Sequence, residues 1–443
     1  MPFDFATAFR ALTGNAPFPW QQKLYGRFMA DDIPTACGIP TGLGKTRVIV
    51  AWLLALASGA KVPRRLVYVV NRRTVVDQAS RDAEGLRERL VSPDRFADHA
   101  AVLHDLAGRV RKISGDCETL GVSTLRGQLA ESNDWWENPA RPAVAVGTID
   151  LIGSRLMFQG YRAGLNRRPV YAGFLGHDAL LVHDEAHLEP AFQRVVEAVV
   201  AEQKREGSAA MADRRLKVMA LTATPREGQT PFGLTEAETK PEPGVPGVKE
   251  RLFAAKGLGF AEAKRDAVAG KVVELALRHK DGGRPVLVFV RTVKDVLAVR
   301  DGLTSKKAGG VLEKQVQILT GTIRGLERDR LATIDPVFRR FLPDPPEVSD
   351  PQTVYLVCTS AGEVGVDLSA AHLVCDLTPL DSMAQRLGRV NRRGKGPDAE
   401  IDVVIETDPD PKQAERGYER ARWATLALLR DPARLAACGW DAA

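Results

Sequence analysis

A chain of 443 residues is long enough for two or three domains with complete hydrophobic cores. Its 44% hydrophobic and 27% charged residues exclude disorder, and its five cysteines, with no C-x-x-C pair, argue against a cysteine zinc site or a disulfide framework. The formal net charge of +6 permits nucleic-acid binding but also suits many enzymes, so local clustering has to decide.

The N-terminus, MPFDFATAFRAL, lacks a basic start followed by an apolar run, so no secretory signal is expected. The longest apolar stretch, Val48 to Ala57, is too short to span a bilayer, and a cytoplasmic protein is expected. Short apolar, β-branched runs then recur between longer helical patterns. In the first half they are Thr35–Ile39, Leu66–Val70, Ala143–Val146, Ala179–Val182 and Leu216–Leu221. Such runs suit strands covered on both faces, and the spacers are long enough for helical crossovers.

The first run leads into Pro40-Thr41-Gly42-Leu43-Gly44-Lys45-Thr46, followed by a helical pattern from Arg47 to Ala57. Strand, glycine loop and helix in that order cradle phosphates: backbone N–H groups approach the anion at the positive end of the helix. Lys45 would reach the β- and γ-phosphates of a nucleoside triphosphate, and the Thr46 hydroxyl would hold magnesium. After the fourth run comes His183-Asp184-Glu185-Ala186-His187. Asp184 can hold the magnesium through water, Glu185 can position and deprotonate the attacking water, and His187 is placed to sense the γ-phosphate. The rival reading is a zinc pair of His183 and His187, but a zinc protease wants glutamate directly after the first histidine, on a helix.

Residues 226–249 carry four prolines and four glycines and read as a connector. The expected organisation is a first ATPase domain over 1–235, a linker over 236–260, a second domain over 261–407 and a C-terminal helix over 408–443. Second-half strands are expected at Val286–Val290, Gln315–Leu319, Thr353–Val357, Leu373–Cys375 and Ile401–Ile405, giving two doubly wound parallel α/β domains. Cys37, Cys358 and Cys375 lie in these runs and read as buried small hydrophobes. The run Gln385-Arg386-Leu387-Gly388-Arg389-Val390-Asn391-Arg392-Arg393-Gly394-Lys395 holds four arginines and a lysine with no acid. Arg389 and Arg392 are the expected arginine fingers, with Gln385 and Arg386 supporting them; Arg393 and Lys395 suit nucleic acid. A closing helix is expected over Glu415–Arg430, with Tyr418, Ala421, Leu426 and Leu429 near one face.

The ordered series PWQQ, PTGLGKT, DEAH, TATP, TSAGEVGVDL and QRLGRVNRRG, spanning residues 19–394, resembles a superfamily 2 helicase of the DEAH type. Ile39, where the general phosphate-loop pattern wants glycine, is normal in helicase-type loops of this kind. Asn391, where most members have glycine, together with HDEAHLEPAFQ, is similar to the CRISPR-associated helicases of type I interference systems and points to the type I-G (formerly I-U) branch. The resemblance implies two RecA-like domains with ATP and magnesium in the cleft between them. It assigns Gln21 to the adenine edge, in preference to Gln22, and Thr222 and Thr224 to coupling hydrolysis to domain closure. Gly365 and Asp367 would contact the nucleotide from the second domain. Arg73, Thr74, Arg126, Gly127, Thr148, Arg291, Thr292, Thr320 and Thr359 would contact a single strand through its phosphates.

It also implies 3′ to 5′ movement on single-stranded DNA after recruitment by an RNA-guided surveillance complex, by a protein expected to be monomeric. Members of the family carry an HD nuclease, fused or in trans. Of the seven histidines here, His104 and His177 begin the HD dipeptides outside the ATPase motif; they read as structural or surface residues, so no nuclease site is expected in this chain. A DEAH-type RNA helicase, a repair translocase and a nucleotide-switched binding module are the rival readings.

Overall fold

The computed structural model describes residues 4–71, 73–115, 118–125, 134–161, 163–207, 209–222, 231–240, 244–305, 311–321, 323, 325–342, 345–349, 351–363, 367–394, 396, 399–407, 417–437 and 440–442. The chain forms two compact units, Met1–Ala237 and Glu238–Ala443. Each is built on one seven-stranded sheet in which every pairing is parallel.

In the first unit the strands are β1 (Ala36–Gly38), β2 (Arg65–Val70), β3 (Gly121–Leu125), β4 (Ala143–Thr148), β5 (Ala179–His183), β6 (Lys217–Thr222) and β7 (Phe232–Gly233). Their order across the sheet is β3-β4-β2-β5-β6-β1-β7. Every residue of β2, β4 and β5 is buried, as the apolar runs require once helices cover both faces. Val48–Ala57 is buried at all ten positions, so this helix carries no polar face at all. Its backbone ladder and two flanking helices, Phe5–Thr13 and Pro19–Met29, leave it no route to solvent.

The second unit contains β8 (Lys256–Ala263), β9 (Pro285–Phe289), β10 (Val316–Leu319), β11 (Val354–Cys358), β12 (His372–Asp376), β13 (Glu400–Glu406) and β14 (Trp440–Ala442), in the order β10-β11-β9-β12-β13-β8-β14. One core packs Leu258, Leu287, Phe289, Leu356, Leu373 and Ile401. The opposite face packs Val286, Val288, Tyr355, Val374 and Val404 under the helix Val268–Leu277. Successive side chains of one strand thus feed two cores, the period-two signature of a doubly covered sheet. Burial pushes the thiols of Cys37 and Cys375 up to about 12 and that of Cys358 higher still, which matches their reading as inert core residues.

Three features depart from the sequence reading. The linker expected over 236–260 overlaps β8, which sits inside the second sheet between β13 and β14. Its composition hid it: Gly257 and Gly259 lower strand propensity, yet a Cβ at Gly259 would stand 3.1 Å from Asp402 Oδ1, so close strand packing uses the glycine. The C-terminal region is more than one helix, because Gly417–Leu429 is followed by a second short helix from Pro432 and by β14. The first of these helices buries Glu419, Arg422, Thr425, Leu426 and Leu429, so its inner face keeps the expected Leu426 and Leu429 but leaves Tyr418 exposed. Arg422 brings Glu419 inside at 2.8 Å, a pair that hydropathy alone reads as surface.

Candidate functional site

The carboxyl ends of β1, β5 and β6 lie side by side, with Gly38 in register with Thr222 and His183 with Ala220. At this edge Gly42 and Gly44 take φ of 86° and 70°, which an L side chain resists. Gly44 is also crowded: its Cβ would come 3.1 Å from Gln21 Nε2. The loop is tied to the preceding helix at two points. Trp20 Nε1 donates to Leu43 O at 3.0 Å, and Gln21 Nε2 donates to Gly44 O at 3.2 Å. Gln21 Oε1 accepts from Phe18 N–H at 2.9 Å, so both ends of this buried amide are engaged. Gln22 is exposed. Reading an adenine edge from Gln21 therefore requires an exchange of these partners.

Lys45 opens a short 3-10 turn before the buried helix, and its Nζ meets Glu185 Oε1 at 2.5 Å, both side chains about nine-tenths buried. Glu185 occupies left-handed backbone, φ 49°, which turns its carboxylate back over the loop. Its N–H is fixed by Asp184 Oδ1 at 3.0 Å. The second carboxylate oxygen of Glu185, Oε2, is buried without a hydrogen-bond partner and lies 3.6 Å from His187 Nδ1. His187 Nδ1 in turn lies 3.1 Å from the Thr222 hydroxyl, at the end of β6. Lys45, Glu185, His187 and Thr222 thus form one continuous chain of contacts along the strand ends. Thr224, the other expected coupling residue, falls outside the described residues.

Asp184 and Thr46 converge on the hydroxyl of Tyr68, a fully buried residue of β2 that donates to Asp184 Oδ2 at 2.9 Å and also hydrogen-bonds Thr46. Burial and the adjacent Glu185 charge push the Asp184 carboxyl up to about 6, against the pull of Lys45 and of the Tyr68 hydrogen bond. Two hard oxygen donors at one point, one of them a desolvated carboxylate, fit a magnesium ion held by few protein ligands and several waters. His183 is turned elsewhere. Its Nδ1 meets Gln193 Oε1 at 2.8 Å and its ring stands edge-on to Phe192. Among the described residues, the group of three or more side chains with metal-ligand spacing includes neither His183 nor His187.

The HD dipeptides are held in ordinary contacts. His104 Nε2 lies 2.8 Å from Asp94, Asp105 pairs with Arg109, and Asp178 pairs with Arg64.

In the second unit the arginine run begins on a helix, Leu380–Leu387, and continues into a tight turn. Arg386 is a structural anchor: it binds Glu363 at 2.9 Å and Asp376 at 2.7 Å, and its guanidinium lies over the Phe289 ring. Glu363 was missed by the sequence reading, although its position in TSAGEVGVDL, among residues expected to touch nucleotide, was a signal. Arg389 is buried and donates to Glu363 O at 2.6 Å. Arg392 is more accessible and pairs with Asp367 at 3.1 Å, so two expected nucleotide contacts face each other. Gln385 is half-buried on the helix. Gly365 falls outside the described residues.

The expected strand-contacting residues gather at strand ends. Thr148 ends β4, in register with Val70 of β2, and the helix beginning at Arg73 and Thr74 follows just beyond. Arg126 and Gly127 fall outside the described residues. In the second sheet Cys358 is in register with both Leu319 and Phe289, which sets Thr359, Thr320 and the segment carrying Arg291 and Thr292 along one edge. Only Thr292 of these is exposed, and it caps the helix Val293–Thr304 by accepting from Asp295 N–H. Arg291 binds Glu406 at 3.2 Å, and nearby acids, Asp376 first among them, hold its guanidinium more firmly charged against burial. Arg393 stands with Arg392 close enough to Arg251 to lower that residue's proton affinity.

Residues 282–395 match the family model described as CRISPR-associated nuclease/helicase Cas3, C-terminal. No curated protein matches the chain. Among solved structures, T. fusca Cas3 with AMPPNP superposes with a TM-score of 0.61 at 17% identity, over 96% of this chain and 50% of that one. The DUF1998 helicase MrfA bound to DNA gives 0.59 at 14% identity, over 93% of this chain and 49% of that one. S. cerevisiae Dbp5 bound to RNA and ADP BeF3 gives 0.55 at 16% identity, over 99% and 93%. The chain therefore spans about half the length of the Cas3 and MrfA chains it resembles. Both of its units carry the RecA-like fold of these helicases.

Proposed function

We propose that this chain, a superfamily 2 helicase of the CRISPR-associated Cas3 kind, is an ATP-driven translocase on single-stranded DNA that unwinds target DNA 3′ to 5′ after recruitment by an RNA-guided complex. The observation that carries the motor reading is the contact chain Lys45–Glu185–His187–Thr222 at the glycine loop. A binding module needs a cradle for phosphate; it does not need a buried carboxylate oxygen left without a partner beside it.

The glycine loop's N–H groups would hold the phosphates and Lys45 would exchange Glu185 for them. Thr46 and Asp184 would hold magnesium, whose chemistry is to neutralise charge developing on the phosphates. Glu185 Oε2 is the acceptor for the proton of the attacking water. His187 would pass the state of Glu185 to Thr222 and so to the end of β6. Arg389 and Arg392 are proposed as the γ-phosphate's arginines, with Gln385 supporting them; Arg389 would trade the Glu363 carbonyl, and Arg392 the Asp367 carboxylate, for phosphate oxygens. Thr148, Thr320, Thr359, Thr292 and Arg393 are proposed to follow a nucleic-acid backbone. The single-stranded DNA substrate follows the resemblance to CRISPR-associated helicases.

The test is DNA-stimulated phosphate release with Glu185→Gln. Turnover is expected to fall by about 10²–10⁴ while nucleotide binding persists. Unchanged turnover would remove Glu185 from the role of base. Matched single-stranded RNA and DNA separate the substrates, and preference for RNA would overturn the interference reading.

A further inference from the structure

At the edge of the second sheet where the strands begin, His372 opens β12 and Glu400 opens β13, and the two are direct partners in the parallel register. His279 reaches the same point from above, two residues past the helix Val268–Leu277 that covers this face. We propose that His279, His372 and Glu400 form a site for a divalent first-row cation of the zinc kind, with water completing its coordination.

The geometry supports this independently of the motor reading. One ligand atom from each residue lies within 4.8 Å of the other two. The imidazoles stack with centroids 4.0 Å apart and planes at 14°, so holding one ion between them requires the rings to unstack until their in-plane lone pairs converge. His279 Nε2 and His372 Nδ1 are both buried with no hydrogen-bond partner, and His372 is only 7% exposed. Such nitrogens ordinarily find a donor or acceptor. His279 Nε2 stands 3.8 Å from Glu400 Oε2, too far for a hydrogen bond.

Tetrahedral zinc with bonds of about 2.0–2.1 Å brings its ligands to roughly 3.4 Å from one another. Ring rotation must re-aim both nitrogens and draw the ligand atoms together, and Glu400, exposed over 61% of its side chain, can close over them. Two imidazoles and a carboxylate are the donor set that suits zinc rather than magnesium or calcium. Asp402, on the same face of β13, adds negative charge near His279, while Arg278 and Arg284 add positive. The stack leaves one nitrogen of each ring without a hydrogen-bond partner near the Glu400 carboxylate, and a cation would satisfy all three groups.

This edge is the opposite end of the strands from Thr320, Thr359 and Arg291. A cation here would pin the covering helix to β12 and β13, stiffening the sheet.

The experiment is calorimetric titration of the chelator-treated full chain with Zn²⁺, with saturating Mg-ADP present, and Co²⁺ absorption as a second reading. The expected result is an ion per chain that is lost in His279→Gln and weakened by at least about tenfold in Glu400→Gln. His187→Gln should bind it unchanged. Far-ultraviolet circular dichroism checks that each variant is folded. A wild-type chain that binds no zinc overturns the proposal. So does binding that survives in folded His279→Gln, or that Glu400→Gln leaves unaltered.

Discussion

Asn391 shows how one side chain can do the work of a whole turn. Its φ of 44° lies in the left-handed region, where asparagine is tolerated and most residues are strained. Its amide then clamps the loop from inside: Nδ2 donates to Ala255 O at 3.2 Å and Gly396 O at 2.8 Å, and Oδ1 accepts from Gly396 N–H at 2.9 Å. Glycine would relieve the backbone but forfeit all three bonds. We expect Asn391→Gly to lower stability by about 1–3 kcal/mol. Asn391→Ala should cost roughly a further 1–2 kcal/mol, because alanine pays the left-handed penalty as well. Urea denaturation of the three proteins checks the order. Equal stability of the alanine and glycine variants would mean that backbone strain is not what selects the residue.

At the scale of elements, the segment 380–394 joins an anchor to a reactive part, and the two should respond differently to mutation. Arg386 is 2% exposed between Glu363 and Asp376, also buried. Arg386→Ala leaves two desolvated carboxylates uncompensated, a loss of about 3–5 kcal/mol. Arg392 keeps 22% of its side chain exposed and has a half-open partner in Asp367. Arg392→Ala should therefore cost under about 1 kcal/mol in stability. In its proposed role as an arginine finger, its loss should still lower turnover by about 10³-fold or more. Denaturation midpoints and steady-state phosphate release measured on both variants separate the roles; a stable Arg386→Ala protein would show that the buried network is dispensable.

The same segment marks what could be read in the sequence. The glycine loop and Asp184–Glu185 were legible as strand-end segments because each is a short run directly after an apolar strand. The partners of Arg386 were not, because Glu363 and Asp376 meet it only through the fold. Strands such as β2 and β11 were legible from buried β-branched runs. Gly121–Leu125 was not, since its GVSTL sequence mixes glycine and hydroxyls and reads as a loop. His279, His372 and Glu400 were beyond any motif: only the register of β12 on β13 and the length of the covering helix bring them together.

For the molecule as a whole, two units with separate sheets and separate cores should not melt as one cooperative block. The glycine loop, Asp184, Glu185 and Thr222 all belong to the first unit, so the groups proposed to hold magnesium and the phosphates of ADP lie there. The three proposed zinc ligands all belong to the second. A ligand that binds only the native form stabilises what it binds by RT ln(1 + [L]/Kd), about 2.7 kcal/mol at a hundredfold excess over Kd. Scanning calorimetry should therefore resolve two transitions that answer to different ligands. Mg-ADP should raise one of them, and Lys45→Ala should abolish that shift while leaving the ligand-free trace nearly intact. Zinc should raise the other, and His279→Gln should abolish only that response. A single transition moved equally by both ligands would mean that the units unfold as one, and that the contacts within each sheet are not the limit of cooperativity.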